Sequence, residues 1–384
     1  MRVNFSESLS KKGERMKKIL FVIHDLMGGG AEKVLVNMVN NMDAQKYDIT
    51  VLALFDEGVH RDSLKSDIHY KYFFKKCFKG NKYFFRLFTP EFWYKKAVGD
   101  EKFDIVVSYL EGTCARIVSG CNTQGTKKVA WIHRERDEKD YCVCFKSKKE
   151  ADALYGRFDR IVCVAQSLKE NFCSFNGLYD KTEVLYNVNE TDKIIKLAAE
   201  EADGNIFDNV PTVAFLGKVI KNKGIFRLAE IHVRLCREKI PHRFLIIGEG
   251  PDKEPVKDYL EENHSTENFV FTGFQKNPYK YLARCDLFVC ASFAEGFSTA
   301  ATEALVLGVP CVVTDCSGMK EMMGSGNEYG IVTENSTDAL YDALRDMLTT
   351  PGKLYDYKNR AIKRGADFTM EKTLSKLEEF FDNI

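Results

Sequence analysis

The stretch "DLFVCASFAEGFSTAATEALVLGVPCVVTD" (residues 286–315) contains a complete strand–helix–strand pattern. It begins with "DLFVCAS" and ends with "PCVVTD", which are apolar runs typical of strands buried on both faces of a parallel sheet. Between them, Ser298 or Thr299 can cap a short helix, and Gly308 and Pro310 end it. The stretch therefore predicts a β-strand, a crossover helix and a second parallel strand.

The same alternation of apolar runs and helical stretches occurs along the whole chain, which predicts α/β architecture with doubly wound sheets. A polar, acidic segment separates two halves that are alike in architecture. The first half has predicted strands at 18–23, 48–54, 104–110, 128–133, 160–165 and 182–187, and the second half has them at 212–217, 243–248, 269–273, 286–292 and 310–315.

These patterns divide the chain into two Rossmann-like domains that face each other across a cleft. Met16 resembles a second start, so we expect residues 1–15 to be a disordered extension. The predicted division is an N-terminal domain (16–190), a linker (191–211), a C-terminal domain (212–362) and a C-terminal helix (363–384), for which a return to the N-terminal domain is one expected course.

The composition is that of an ordinary soluble protein and excludes several classes. The chain has 384 residues, of which 45% are apolar, and its 56 basic residues equal its 56 acidic residues. Zero net charge argues against general nucleic-acid binding, and no run is long enough to span a membrane. The twelve cysteines include no CxxC pair, so free thiols in a reducing cytoplasm are favoured over a metal site at Cys142 and Cys144.

Two carboxylates frame the start of the predicted helix in the opening stretch. Glu295 lies in the loop ahead of the helix, and Glu303 lies about one turn inside it. Helix starts attract anions, so the two glutamates need another partner. Carboxylates accept hydrogen bonds from vicinal hydroxyls, which suggests that Glu303 holds a ribose and Glu295 holds sugar hydroxyls. The alternative is two unrelated surface glutamates.

Candidate phosphate-binding groups follow other predicted strands. Lys218 and Lys223 flank a strand–loop–helix turn and can bracket a diphosphate, although solvated loop lysines are the alternative. Gly30 ends a run of three glycines that opens a helix, where backbone N–H groups favour phosphate. It is not a GxGxxG motif, because Lys33 occupies the last position. His133 ends a strand and is either functional or structural.

These pieces occur in one order that resembles the retaining glycosyltransferases of family 4, which have the GT-B fold. The resemblance covers about residues 17–380 and is strongest at Glu295-x7-Glu303. Its "EGFSTAATEA" segment also looks like bacterial capsule and exopolysaccharide transferases. The other matching pieces are Gly217-Lys218…Lys223-Gly224, Gly248-Glu249-Gly250-Pro251, Phe271-Thr272-Gly273-Phe274 and the N-terminal Gly-Gly-Ala-Glu.

The resemblance implies roles for matching residues. The N-terminal domain would bind the acceptor, and the C-terminal domain would bind the nucleotide sugar. Lys218 stands where the family has arginine, which keeps the charge but loses the planar fork. The implied catalytic residues are Glu295, His133, Lys218 and Lys223. The implied donor-binding residues are Gly30, Gly217, Gly250, Phe274, Gly296, Phe297, Ser298, Thr299 and Glu303.

The implied reaction transfers a sugar, with retention, from a UDP-linked donor to a hydroxyl of a glycan or lipid-linked acceptor in surface polysaccharide synthesis. We expect no metal and no cofactor, because the chain has no D-x-D sequence. The alternatives are a non-catalytic sugar-nucleotide-binding protein of the same fold and a sugar-nucleotide epimerase. A phosphorylase is a further alternative, but no pyridoxal-phosphate lysine is identifiable.

Residues 70–96, the basic aromatic segment, combine eight lysines or arginines, one glutamate and twelve aromatic residues. Basic residues interleaved with aromatics suit an anionic bilayer surface, so we expect peripheral binding at the inner face of the cell membrane. RNA binding is a rival interpretation. The remaining alternative is a loop and helix packed on the N-terminal domain with solvated lysines.

Overall fold

The structure is a computed structural model that describes residues 15–203, 206–207 and 210–384. The predicted disordered extension lies outside the described residues except for Arg15. Two parallel β-sheets, each covered by helices, form the two halves of the molecule. This arrangement confirms the predicted pair of Rossmann-like domains.

The first sheet has seven parallel strands in the order β3-β2-β1-β4-β5-β6-β7. Its strand order reverses between β1 and β4, which is where ligands of such sheets bind, beyond the carboxyl ends of the strands. The strands are β1 (Lys17–Ile23), β2 (Tyr47–Phe55), β3 (His69–Phe74), β4 (Ile105–Ser108), β5 (Lys127–Ile132), β6 (Arg160–Cys163) and β7 (Thr182–Val184).

The second sheet has six parallel strands in the order β10-β9-β8-β11-β12-β13, with its reversal between β8 and β11. Its strands are almost wholly apolar because helices cover both faces of the sheet. They are β8 (Thr212–Leu216), β9 (Arg243–Ile247), β10 (Phe269–Gly273), β11 (Leu287–Cys290), β12 (Cys311–Thr314) and β13 (Ile331–Thr333).

Helices connect the strands and pack on both sheets. Those of the first half and the connecting segment are α1 (Gly30–Asn41), α2 (Asn81–Phe84), α3 (Pro90–Val98), α4 (Thr113–Val118), α5 (Glu138–Cys142), α6 (Lys148–Tyr155), α7 (Gln166–Asn176) and α8 (Thr191–Ala198). Those of the second half are α9 (Ile225–Arg237), α10 (Lys253–Glu262), α11 (Tyr279–Leu282), α12 (Thr299–Val306), α13 (Met319–Met323), α14 (Thr337–Thr349), α15 (Lys353–Gly365) and α16 (Met370–Asp382).

Two helices connect the halves. The segment predicted as a linker contains α8. The last helix, α16, lies against the first sheet, where Phe381 packs edge-on against Phe21 with ring centroids 5.9 Å apart. Tyr47 also donates a hydrogen bond to Asp382 at 2.6 Å. The end of the chain is therefore held by the first half of the molecule.

Two strands were absent from the sequence prediction. β13 has only three residues, which is too short for a recognisable pattern. β3 lies in the basic aromatic segment as an edge strand that pairs with β2 alone. Eight of the twelve aromatic side chains in that segment are buried or half-buried, including Phe85 and Trp93, so much of it packs on the first domain.

Candidate active site

The opening stretch forms the strand–loop–helix connection from β11 to α12 at the carboxyl edge of the second sheet. Ser298 is the helix cap, and its Oγ accepts a hydrogen bond from the N–H of Ala301 at 3.3 Å. Gly296 lies against the first domain, since a Cβ there would come within 1.8 Å of the His133 carbonyl oxygen. The loop that carries Glu295 is therefore in contact with both domains.

Glu295 is held through one of its carboxylate oxygens. Its Oε1 accepts hydrogen bonds from Lys223 Nζ at 2.5 Å and from Ser292 Oγ at 2.7 Å. The described residues donate no hydrogen bond to its Oε2. The sequence predicted Lys223 at a diphosphate, and the structure brings its ammonium to the carboxylate of Glu295. Ser292 was not predicted, although it ends the apolar run of β11.

Glu303 is held in the same way but by a residue of the other domain. Its Oε1 accepts hydrogen bonds from Lys33 Nζ at 2.6 Å and from Tyr279 OH at 3.1 Å. Lys33 also donates to the Tyr279 oxygen at 2.7 Å, so the three groups form a closed triad. The Glu303 side chain is only 3% exposed. Sequence reasoning missed Lys33 and Tyr279 as functional residues.

The charge state of Lys33 follows from this triad. Burial opposes the ammonium charge, but the carboxylate of Glu303 and the phenol of Tyr279 together raise the Lys33 pKa above its ordinary value. Lys33 is therefore protonated at neutral pH. A buried carboxylate without a cationic partner would be costly, and Lys33 removes that cost.

Lys218 lies in a different environment from Lys223. Its side chain is exposed at the end of β8 and faces the first domain, where it contributes to the lowered pKa of Asp25. Burial opposes the charge of Asp25, and hydrogen bonds from His24 and the Met27 N–H outweigh it. The ammonium of Lys218 thus lies near the carboxyl edges of both sheets, where a diphosphate can reach it.

The glycine turns bring backbone close to the strand ends. Gly224 has φ +75°, and a Cβ there would lie 2.0 Å from the Ala291 carbonyl oxygen, so only glycine fits. A Cβ on Gly250 would lie 2.1 Å from the Val219 carbonyl oxygen. Gly217 directly follows β8, and its N–H donates a hydrogen bond to the Ile247 carbonyl oxygen at 3.1 Å. These contacts set the loops around the candidate nucleotide site.

His133 follows β5 at the cleft. Its Nε2 is buried without a hydrogen-bond partner among the described residues, and burial lowers its pKa, so the ring is neutral near pH 7. The backbone N–H of His133 donates a hydrogen bond to Glu111 Oε1 at 2.6 Å. Glu111 also faces Arg136 at 3.5 Å. A neutral imidazole with an unused nitrogen is suited to hydrogen-bond a sugar hydroxyl.

The remaining predicted donor-binding residues differ in exposure. Phe274 is 77% exposed beyond β10. Phe297 is buried, and its ring stacks on Tyr186 with centroids 5.1 Å apart. Only the backbone of Phe297 is therefore available to a ligand. Gly30 opens α1 opposite α12, since a Cβ there would lie 3.4 Å from Thr299 Oγ1.

His232, Cys236 and His242 form the one His/Cys/Asp/Glu cluster among the described residues whose ligand atoms are close enough for a metal. It lies at the amino edge of the second sheet, opposite the candidate site. His232 Nδ1 and His242 Nε2 are 2.7 Å apart, a hydrogen-bond distance. Two nitrogens on one tetrahedral zinc would stand about 3.3 Å apart, so the rings here are paired with each other.

A cavity of about 490 Å³ opens between the two domains beside the candidate site. It is lined from the first domain by Glu135, Gln166 and Glu170, and from the second by Asp315 and Cys316. Cys316 Sγ donates to the Ser292 carbonyl at 3.2 Å, which connects this wall to the loop of Glu295. The cleft is therefore open next to the loop that carries Glu295.

Comparison with known proteins agrees with this geometry. The family model described as "Glycosyltransferase Family 4" matches residues 28–193, and the model described as "Glycosyl transferases group 1" matches residues 198–365. The two matches together account for both domains. The chain is a family 4 glycosyltransferase with the GT-B fold. The predicted family resemblance is thereby confirmed.

Relatives of this glycosyltransferase include enzymes of surface polysaccharide synthesis. The "N-acetylgalactosamine-N,N'-diacetylbacillosaminyl-diphospho-undecaprenol 4-alpha-N-acetylgalactosaminyltransferase" of Campylobacter jejuni is 26% identical over 376 residues, covering 93% of this chain and 97% of that enzyme. The lipopolysaccharide 1,6-galactosyltransferase of Salmonella typhimurium is 23% identical, covering 72% and 69%. The comparisons therefore support a glycosyltransferase that acts in the synthesis of polysaccharides or lipid-linked glycans.

A solved structure confirms the fold. HepE of Anabaena, solved with UDP and glucose, superposes with a TM-score of 0.76 at 16% identity, covering 96% of this chain and 100% of HepE. In the part of this chain that the structure describes, no helix combines the length and apolar character needed to cross a membrane.

Proposed function

We propose that this glycosyltransferase transfers a sugar, with retention, from a UDP-linked donor to a hydroxyl of a lipid-linked glycan. One observation carries the proposal. Glu295 and Glu303 each have one carboxylate oxygen held by a lysine and a hydroxyl and the other oxygen unused by the described residues. A sugar and a ribose each offer hydroxyl donors to such an oxygen.

In this proposal the diphosphate lies between the two carboxylates. Lys218, Lys223 and the N–H groups at the start of α12 stabilise the negative charge that develops on it. The acceptor hydroxyl oxygen forms a bond to the anomeric carbon on the face that the diphosphate leaves. The bond from that carbon to the diphosphate oxygen breaks, and the hydroxyl proton passes to the departing diphosphate.

His133 and Glu295 would orient the transferred sugar. The Nε2 of His133 is buried and has no hydrogen-bond partner among the described residues, and Glu295 Oε2 is an acceptor on the opposing domain. Groups held in place before the reaction lower the barrier most when their charge does not need to reorganise. We expect no metal requirement, because two lysines and a helix start are available to the diphosphate.

Proteins similar to this chain support the choice of a UDP-linked donor and a lipid-linked acceptor. HepE was solved with UDP and glucose, and the Campylobacter jejuni relative is named for a diphospho-undecaprenol acceptor. A lipid-linked acceptor would place this enzyme at the inner face of the cell membrane, in the synthesis of a capsule or another surface polysaccharide.

The membrane proposal is carried by the exposed part of the basic aromatic segment. Tyr83, Leu87, Phe88 and Phe92 are exposed on and beside α2 and α3, where Leu87 is 67% exposed. Exposed lysines surround them, at positions 71, 75, 76, 79, 82, 95 and 96. Apolar side chains can enter the bilayer interface while the lysines contact anionic lipid, at about 1 kcal/mol per basic residue.

A thermal-shift panel tests the donor. We expect UDP and UDP-sugars to raise the melting temperature more than the corresponding GDP, ADP and dTDP compounds. Slow hydrolysis of the preferred UDP-sugar without acceptor would separate an enzyme from a non-catalytic binding protein. Release of an epimerised UDP-sugar would instead support the epimerase alternative.

Chelation tests the metal proposal. EDTA should leave donor hydrolysis and transfer unchanged, because the proposed charge partners of the diphosphate belong to the protein. Loss of turnover with EDTA and its recovery with Mg²⁺ or Mn²⁺ would contradict the proposal.

Vesicle sedimentation tests the membrane surface. The protein should sediment with phosphatidylglycerol vesicles and less so as salt rises, because the Debye length falls from ~10 Å at 0.1 M to ~3 Å at 1 M. Replacing Lys75, Lys76, Lys79 and Lys82 by Glu should release it while leaving donor hydrolysis intact. Equal binding to RNA and vesicles, or no vesicle binding at low salt, would remove the support for a membrane site.

A further inference from the structure

Lys33 connects the two domains at the proposed ribose site. It lies in the first turn of α1 in the first domain, whereas Glu303 and Tyr279 belong to the second. Its ammonium donates to Glu303 Oε1 at 2.6 Å and to the Tyr279 oxygen at 2.7 Å. The carboxylate that would hold the ribose is therefore fixed by a residue that the nucleotide-binding domain does not contain.

The triad determines which oxygen of Glu303 remains for a ligand. Lys33 and Tyr279 both donate to Oε1. None of the described residues donates to Oε2. Because Glu303 is 3% exposed and held through two hydrogen bonds, its rotamer is fixed when the domains are in this arrangement. A fixed acceptor loses less entropy when it binds a hydroxyl, so the triad favours ribose binding through Oε2.

The position of Lys33 also makes this arrangement depend on the approach of the domains. Gly30, one turn before it, lies against Thr299 at the start of α12, so α1 and α12 are in contact here. If the domains separate, Glu303 loses its cationic partner and a buried carboxylate is left with Tyr279 alone. Binding that requires an ordered Glu303 then favours the closed arrangement, and the coupling is reciprocal.

We propose that Lys33 is a positioning residue that holds Glu303 for the ribose and couples nucleotide binding to domain closure. This inference rests on the proposed function, in which Glu303 binds ribose. It predicts that recognition of the ribose hydroxyls depends on a residue that does not touch the ribose. It also gives Lys33 a role different from that of Lys218 and Lys223, because those two lysines are proposed to stabilise the charge of the diphosphate.

The test compares UDP with 2′-deoxy-UDP and 3′-deoxy-UDP by isothermal titration calorimetry. Wild type should prefer UDP over at least one deoxy compound by roughly tenfold or more, as expected for a hydrogen bond to a charged group. Lys33→Met should weaken UDP and reduce this preference to about threefold or less. Lys33→Arg should retain most of the preference, because arginine keeps a charged donor on a long side chain.

Further variants make the result decisive. Lys149→Met removes an exposed lysine of α6 and should change neither affinity nor preference. Tyr279→Phe removes one of the two donors to Glu303 and should give an intermediate preference. It also provides a second measurement if Lys33→Met does not fold. A preference that Lys33→Met leaves unchanged, or tighter UDP binding by that variant, would overturn the inference.

Glu303→Gln separates this failure from a failure of the proposed function. If Glu303→Gln abolishes the preference and Lys33→Met does not, the ribose site is correct and Lys33 does not position it. If Glu303→Gln keeps the preference, or wild type shows none, the ribose assignment itself is wrong. Small-angle scattering adds a second readout. UDP should make wild type more compact, and it should change the Lys33→Met variant less.

Discussion

Glu295 and Glu303 have the same local arrangement but different origins for their partners. Each carboxylate uses one oxygen to accept from a lysine and from a hydroxyl. Lys223 and Ser292 belong to the same domain as Glu295, whereas Lys33 comes from the other domain. The first carboxylate is therefore held by its own domain, and the second depends on how the two domains meet.

This difference matches the two proposed ligands. In the proposed function the sugar lies at the cleft, where Glu295 must be in place whenever a donor is bound. The proposed ribose site is at Glu303, and because Lys33 reaches that carboxylate only when the domains approach, occupancy of the site can be coupled to the contact between the domains. In this proposal one domain provides the carboxylate that contacts the sugar, and the contact between the domains provides the coupling.

The largest expected effect is on turnover, and it comes from Glu295, whose partner Lys223 belongs to the same domain. Glu295→Gln should lower turnover by roughly a hundredfold or more, because it removes a charge fixed beside the transferred sugar. UDP affinity should stay within about twofold, since UDP lacks that sugar. Steady-state turnover and UDP titration check this. Glu254→Gln, on the exposed face of α10, is the matched control. Turnover near wild type would contradict the sugar-binding role.

A smaller effect separates the two lysines. Lys223→Met should weaken UDP binding by roughly tenfold and leave uridine binding almost unchanged, because the charge it removes is a proposed partner of the diphosphate, which uridine lacks. Lys33→Met should weaken UDP and uridine alike, because both contain the ribose. Uridine affinity is measured by competition with UDP. If Lys223→Met and Lys33→Met weaken uridine binding equally, the Lys223–Glu295 and Lys33–Glu303 pairs do not have the different ligands proposed for them.

The fold could be predicted from sequence because parallel strands buried on both faces give continuous apolar runs. Each predicted strand corresponds to a strand of the structure. β3, with the sequence HYKYFF, was missed because it lies inside a lysine- and aromatic-rich segment whose composition masks a strand at the edge of a sheet, and pairing with β2 reveals it. Full or partial burial of eight of the twelve aromatic side chains shows that most aromatics of the basic aromatic segment are structural.

The site could be predicted only in part. The two glutamates and the lysines after β8 follow from spacing along one domain. The partner of Glu303 does not, since Lys33 is 270 residues away and belongs to the other domain. The position of Lys33, three residues after the last glycine of the run, was visible, but the sequence shows no partner for its charge. Phe297 was predicted to bind the donor, and the fold places its ring in a buried stack that no local pattern indicates.

The smallest expected effect is that of pH on ribose recognition. It tests the difference between the Glu303 and Glu295 sites, because Lys33 can hold Glu303 only while its side chain is charged. Burial opposes its charge, but Glu303 and Tyr279 raise the Lys33 pKa above 10.5, its ordinary value. The folded protein therefore binds this proton more tightly than the unfolded chain does. The stabilisation is fully present below the unfolded pKa and is lost only as pH rises through the higher folded value.

The preference for UDP over its deoxy analogues should accordingly be constant between about pH 6 and pH 9. Titration of the diphosphate changes both affinities together, so it cancels in their ratio. A ratio that falls across this range in wild type, but not in Lys33→Arg, would show that Lys33 loses its proton near neutral pH. The closed triad would then be too weak to hold Glu303, and the contact between the domains would not control the ribose site.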